Sequence, residues 1–249
     1  MTGTIDLNAD LGEGEAHEAE IMALVSSCNI ACGGHAGDAA SMRAALALAK
    51  QHSVAAGAHP SYPDRENFGR RTPETVSPGA LRAALAQQVE DIKAVADALA
   101  APLHHLKPHG ALYNDAARDR ALADLIAGVC ATALPGAHLV GPPASELAAA
   151  ASTHGLSYIA EGFADRAYAA DGSLVPRTQP GAILQTDDAR TSQALDLALN
   201  HAVKTQDGST LAMPVQTICL HGDSPGALAS ARAIRAALIH AGLTIKTPS

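Results

Sequence analysis

The chain has 249 residues, 47% of them hydrophobic, which is enough for a sizeable core. A formal net charge of −8 with no basic stripe argues against duplex binding, and 2% aromatic residues with no Trp leave a single-strand binder without stacking platforms. Cys28, Cys32, Cys130 and Cys219 form no paired CxxC clusters and read as reduced, buried thiols. With no basic-then-apolar leader and no apolar run of spanning length, the protein is expected in the cytoplasm, away from membranes.

Strand-like runs alternate with Ala- and Leu-rich helical runs. The first strand covers residues 4–9 and ends in Asp10-Leu11-Gly12-Glu13-Gly14, with a helix over 18–26 after it. The second strand, 28–32, ends in Gly33-Gly34-His35. Asp38 or Ser41 can cap the next helix, whose apolar face is Met42, Ala45, Leu46 and Ala49. The third strand, 54–58, leads to His59-Pro60 and a polar loop over 61–77. Ser77-Pro78 is a helix start, and Leu81, Leu85, Ile92 and Leu99 mark a long amphipathic helix. The fourth strand, 103–107, runs into Pro108-His109-Gly110, and Leu122, Leu125, Ile126 and Val129 mark the helix that follows. Strands over 138–141 and 157–161, a second long loop over 162–180 and a helix over 188–204 come next. A last strand, 215–220, leads through His221-Gly222-Asp223 to a helix starting at Ser224-Pro225.

Seven βα units predict a parallel sheet with right-handed crossovers, closed or nearly closed into a seven-stranded parallel β/α barrel, with a doubly wound sheet as the alternative. No linker divides the chain, so residues 1–249 read as one domain. In parallel α/β folds the C-terminal strand ends carry the active site. Asp10, Glu13, His35, His59, Lys107, His109, Glu161 and His221 all fall there. Residues two apart in a strand share a face, so Asp6, Asn8 and Asp10 form one row, and His105, Lys107 and His109 another. A barrel exterior packs under helices, so these polar rows are expected to point inward. Asp6 reads as a network residue of the barrel bottom and His104 as a packed or surface histidine. His17, His52, His138, His154, His201 and His240 read as solvent histidines.

Two chemistries fit this constellation. Asp10, His59 and His109 can form a carboxylate-plus-two-imidazole site for a divalent metal. Alternatively Lys107 polarises a carbonyl or meets an oxyanion, with Asp10 or a histidine as general base. Arg65, Arg70 and Arg71 in the first long loop, and Arg166 and Arg177 in the second, can clamp a carboxylate or phosphate, or form surface ion pairs. No GxxxxGK[ST] or strand-following GxGxxG motif is present, so any use of ATP is not through a P-loop.

The chain resembles the LamB/YcsF family at Leu7-Asn8-Ala9-Asp10-Leu11-Gly12-Glu13, Asn29-Ile30-Ala31-Cys32-Gly33-Gly34-His35-Ala36-Gly37-Asp38 and Gly57-Ala58-His59-Pro60-Ser61. The likeness continues at Lys107-Pro108-His109-Gly110-Ala111-Leu112-Tyr113-Asn114, Cys219-Leu220-His221-Gly222-Asp223, and the runs 63–70, 163–166 and 171–177. Gly34 stands where the family commonly carries Phe, which reshapes the pocket beside His35. The resemblance implies a barrel of the glycoside hydrolase/deacetylase type and the role of the A component in an ATP-dependent 5-oxoprolinase. Such an enzyme works with two further 5-oxoprolinase subunits, B and C, takes 5-oxoproline and ATP, and releases glutamate. On that reading Asp10, Lys107, His109 and Glu13 are catalytic, and His35, His59, Arg65, Arg70, Arg166 and His221 contact substrate. Asp10, His59 and His109 match, by placement, the metal-binding strand-end residues of deacetylase-like relatives. The alternatives are a metal-dependent deacetylase or amidohydrolase, or a non-catalytic subunit of a lactam-utilisation complex.

Overall fold

The computed structural model describes residues 3–222 and 226–249. The first half contains β1 (Thr4–Leu11), α1 (Glu18–Met22), β2 (Ser27–Ala31), α2 (Ala39–His52), β3 (Ala55–His59), α3 (Pro78–Leu99), β4 (Leu103–Leu106) and α4 (Gly110–Ala116). Next come α5 (Arg120–Ala133), β5 (His138–Gly141), α6 (Glu146–Thr153), β6 (Tyr158–Phe163), α7 (Asp187–Leu195), β7 (Ala202–Lys204) and β8 (Thr210–Ala212). The chain finishes with β9 (Thr217–Leu220), α8 (Ala227–His240) and β10 (Thr244–Ile245).

Strands β1 to β6 pair in sequence order, β6 pairs with β9, and β9 pairs back onto β1, every pairing parallel. The result is a closed seven-stranded barrel with helices outside, as the repeated βα pattern predicts. Strands covered on both faces read as continuous buried runs, and every residue of β2 and β9 is buried. The outer layer packs on apolar stripes. Met42, Ala45, Leu46 and Ala49 of α2 are buried, as are Leu81, Leu85, Val89 and Ile92 of α3. Both helices start where their polar residues can satisfy orphan amides. Asp38 accepts from the Ala40 and Ser41 amides while Ser41 Oγ accepts from the Asp38 amide, and Ser77 Oγ accepts from the Ala80 amide ahead of Pro78.

The barrel interior is polar along its length. At the bottom the Asp6 carboxylate accepts from the hydroxyls of Ser26, Ser27 and Thr217, at 2.5, 2.6 and 2.6 Å. One layer up, Asn8 Nδ2 donates to Thr217 Oγ1 at 2.7 Å and to Glu161 Oε1 at 3.0 Å. Asn29 Nδ2 donates to Asn8 Oδ1 and to Asp10 Oδ1, both at 2.8 Å. This chain of bonds satisfies groups whose burial alone is costly, and it carries polarity from the closed bottom to the open mouth.

Several expectations are corrected. The predicted helix over 188–204 stops at Asn200. Its last turn widens into a π-turn over Asp196–Asn200, His201 takes a left-handed conformation, and Ala202–Lys204 pairs antiparallel with Thr210–Ala212. Helix α1 ends at Met22, short of residue 26, and β1 runs on to Leu11, so Asp10 lies within the strand. Helix α4 and strand β10 were not foreseen; β10 pairs with Thr4 and Ile5 of β1. His138 opens β5 and stacks on His104 at 4.6 Å between ring centroids, so it is not a solvent histidine. The expected helix start at Ser224-Pro225, with Asp223 beside it, lies outside the described residues.

Candidate active site

The C-terminal strand ends surround a cavity of about 690 Å³, and Lys107 is its central cation. Lys107 is 2% exposed, and its Nζ donates to Asp10 Oδ1 at 2.9 Å and Glu161 Oε1 at 2.8 Å, with Cys219 Sγ 3.1 Å away. Register brings these groups together. Asp10 pairs with Asn29 across the β1–β2 seam, Asn8 pairs with Cys219 across β1–β9, and Lys107 follows β4 directly. Burial alone lowers a lysine pKa, but the Asp10 and Glu161 carboxylates outweigh it and hold Lys107 well above its usual value. Burial likewise pushes Asp10 up, but His59 and Lys107 dominate and hold its carboxyl well below the usual range. The pair is therefore a fixed ammonium beside a fixed carboxylate. Cys219 stays a thiol, because burial and the Asp10 charge push it well above its ordinary pKa.

Beside this pair, four donor atoms converge: Glu13 Oε1 and one ring nitrogen each of His35, His59 and His109, all within 4.8 Å of one another. His35 Nε2 lies 2.9 Å from Glu13 Oε1, and His109 Nδ1 lies 3.0 Å from His59 Nε2. The His35 ring stacks on His109 at 3.6 Å, and His59 meets both edge-on. Burial pushes His35 down to about 2 and His109 well below the usual imidazole range, so both are neutral near pH 7. Gly110 makes the cluster geometrically possible. Its φ is +60°, and a Cβ there would stand 2.6 Å from the Gly69 carbonyl oxygen. The first long loop therefore lies directly on the end of β4, and the Phe68 carbonyl reaches His109 Nε2 at 3.0 Å.

The predicted site residues divide into three groups. Asp10, Glu13, His59, Lys107, His109, Arg70, Arg166 and His221 line the cavity. His35 is buried behind it, in the imidazole cluster, and does not line it. Arg65 also lies outside the lining: its Nη1 donates to the Gly33 and Gly37 carbonyls at 3.0 and 2.8 Å, strapping the first long loop to the β2–α2 turn. Arg166 is buried at the cavity wall and donates to the Ala182 and Val175 carbonyls, so it also holds its own loop in shape. Arg71, Arg118 and Arg177 join the rim. His221 Nδ1 sits 2.9 Å from both Asp165 oxygens. Burial raises Asp165, but His221 outweighs it and keeps the carboxylate ionised.

For the metal set expected from sequence, His59 and His109 meet, but Asp10 is drawn elsewhere. Its Oδ1 is held by Lys107 and Asn29, and its Oδ2 stands 3.4 Å from His59 Nε2. Asp10 groups instead with Cys219 and His221. Glu13 and His35 complete the imidazole cluster. Sequence reasoning also missed Asn29, Cys219 and Asp165 as partners. Strand alternation offered a signal for Asn29, which shares its face of β2 with Ser27, but nothing local marked Cys219 or Asp165.

Residues 5–249 match the family model described as LamB/YcsF. The chain belongs to the LamB/YcsF family. A lactam utilization protein from Thermus thermophilus is 40% identical, over 98% of this chain and 99% of that one, with a TM-score of 0.89. A family 4 carbohydrate esterase from Streptomyces lividans shares the fold alone, at 12% identity and a TM-score of 0.51, over 99% of this chain and 93% of that one. The space beside His35 at Gly34 is filled from α3. A Cβ on Gly34 would collide with Gln88 Oε1 and Ser61 Oγ. The Gln88 amide is fixed there, accepting from Ser61 N at 3.0 Å and donating to Ser61 O at 2.9 Å.

Proposed function

We propose that this LamB/YcsF chain is the A component of an ATP-dependent 5-oxoprolinase, opening 5-oxo-L-proline to L-glutamate with 5-oxoprolinase subunits B and C as partners. The observation that carries the reading is Lys107, a buried ammonium fixed between Asp10 and Glu161 on the floor of an arginine-rimmed cavity. The high identity to a lactam utilization protein supports the same substrate class.

A five-membered lactam is a stabilised amide, and its carbonyl carbon is a poor electrophile. ATP supplies a phosphoryl group to the carbonyl oxygen, which turns that oxygen into a leaving group. Water then adds at carbon, the C–N bond breaks as the nitrogen takes up a proton, and a second water displaces phosphate from the resulting acyl phosphate to leave the carboxylate. Lys107 faces the developing oxyanion or phosphate as a cation already in place. Asp10 stays ionised and takes the proton of the attacking water, which His109 and Glu13 hold beside it. A rim arginine, Arg70 or Arg177, pairs with the substrate carboxylate. The test is co-expression with subunits B and C and an assay of glutamate release. Release that needs ATP and falls at least about 100-fold in Lys107→Met supports the reading; normal turnover in that variant removes it.

The imidazole cluster favours a second reading, a stand-alone metal-dependent amidohydrolase or deacetylase. Chelator-sensitive turnover with no ATP requirement selects it. Normal complex activity after removal of the strand-end histidines selects a non-catalytic subunit instead.

A further inference from the structure

The tautomers of the imidazole cluster follow from the backbone. His59 Nδ1 lies 2.8 Å from the Lys107 carbonyl oxygen, which can only accept, so Nδ1 carries a proton, and whenever the ring is neutral Nε2 presents a lone pair. His109 Nε2 donates in the same way to the Phe68 carbonyl, which leaves its lone pair on Nδ1. Those two lone pairs face each other across 3.0 Å, a repulsive arrangement unless a positive centre lies between them. Glu13 Oε1 is a third electron-pair donor beside the same point, 3.5 Å from His109 Nδ1 and 4.0 Å from His59 Nε2. Ligand atoms bonded to one cation at about 2.1 Å stand roughly 3–3.5 Å from one another, close to these separations. All three residues line the cavity.

His35 holds this set from behind. Its Nε2 meets Glu13 Oε1 at 2.9 Å, its ring stacks on His109, and its Nδ1 has no hydrogen-bond partner among the described residues. A carbonyl behind each ligating imidazole and a donor behind the ligating carboxylate form the outer shell that orients metal ligands.

We propose that Glu13 Oε1, His59 Nε2 and His109 Nδ1 bind one divalent first-row transition cation, with its remaining positions open to the cavity and His35 as a positioning residue. Two imidazoles and one carboxylate suit Zn²⁺ or Co²⁺, whereas Mg²⁺ and Ca²⁺ take oxygen ligands. Asp10 Oδ1 is engaged by Lys107 and Asn29, and Asp10 groups with Cys219 and His221 rather than with Glu13 and the imidazoles, which separates this site from the Asp10-based set expected from sequence.

The test uses the full chain stripped with chelator, titrated with Co²⁺ and then Zn²⁺, and read by metal analysis, visible Co²⁺ absorption and calorimetry. Binding is measured without turnover, so its failure and failure of the lactam-opening assay are separate results. One Co²⁺ per chain, displaced by Zn²⁺, is expected. Glu13→Gln, His59→Gln and His109→Ala each weaken binding by at least about 100-fold, His35→Asn weakens it about 10-fold, and Asp10→Asn stays within about threefold. Circular dichroism confirms that each variant is folded before titration, and the wild-type titration is decisive by itself. Absence of stoichiometric Co²⁺ and Zn²⁺ binding overturns the site and leaves a shared proton between His59 and His109. Loss of the ion in Asp10→Asn with retention in Glu13→Gln overturns the ligand assignment.

Discussion

Replacing Lys107 with Met keeps the length of the side chain and removes its charge. Its stem stays packed, but the Asp10 and Glu161 carboxylates, now 2.9 and 2.8 Å from the ammonium, lose their shared partner in a buried place. Breaking one side of a buried ion pair costs about 3–5 kcal/mol. For a domain of this size each kcal/mol is worth roughly 2–4 °C, so melting falls by roughly 6–20 °C. The loss depends on pH. Without the ammonium, burial and like charge raise the folded-state pKa of one carboxylate above its unfolded value near 4. A raised group gives its full support below the unfolded pKa and loses it as pH rises through the folded one. The deficit of the variant is therefore smallest near pH 5 and largest near pH 8. Adding Glu161→Gln removes one of the stranded charges and recovers about 1–3 kcal/mol at pH 8. Denaturant melts of the wild type and both variants across that pH range measure this. A Lys107→Met protein within about 1 kcal/mol of wild type, or a deficit independent of pH, would refute the electrostatic account of the site.

Two other expectations concern the same mouth of the barrel. His35 is held near 2, so its contribution is present above the unfolded imidazole pKa near 6.5 and lost as pH falls; at pH 5 the loss is about 2 kcal/mol. His105 and His109, also depressed by burial, add in the same direction, and Asp10 adds below about 4. Calorimetric melting should therefore drop steadily between pH 7 and pH 4, and a flat profile contradicts buried neutral imidazoles. Gly34→Ala should cost about 1–3 kcal/mol, because the new Cβ meets the fixed Gln88 amide. Gln88→Ala in the same chain should relieve part of that cost; strictly additive losses would show that the two positions do not share the space.

The architecture was legible because it rests on local rules. Each of the seven barrel strands was visible as a short apolar run between a polar turn and an amphipathic helix. Asp38 and Ser77 marked helix starts that the structure keeps. The strand-end residues were legible for the same reason: in a parallel barrel, the position just after a strand is a spatial statement. The errors lie where tertiary context overrides propensity. The stretch 201–212 carries a helical-looking approach, yet a left-handed residue at His201 turns it into a small hairpin. Arg65 read from sequence as either a ligand clamp or a surface ion pair, and it is neither, because an arginine in a long loop looks the same whether it meets a substrate, a carboxylate or a carbonyl.

The sequence by itself determined the alternation, the set of seven parallel strands and the end of the sheet where ionisable groups gather, since each follows from periodicity and turn chemistry along a few neighbouring residues. Only the tertiary structure decided which of those groups are partners. Asp10 is shared between Lys107 and Asn29, and Glu13 joins His35, His59 and His109, because strand register and the loop over Gly110 set distances between residues far apart in the chain. Electrostatic and ligand fields change over a few ångströms, and that scale is fixed by packing rather than by any local pattern of residues.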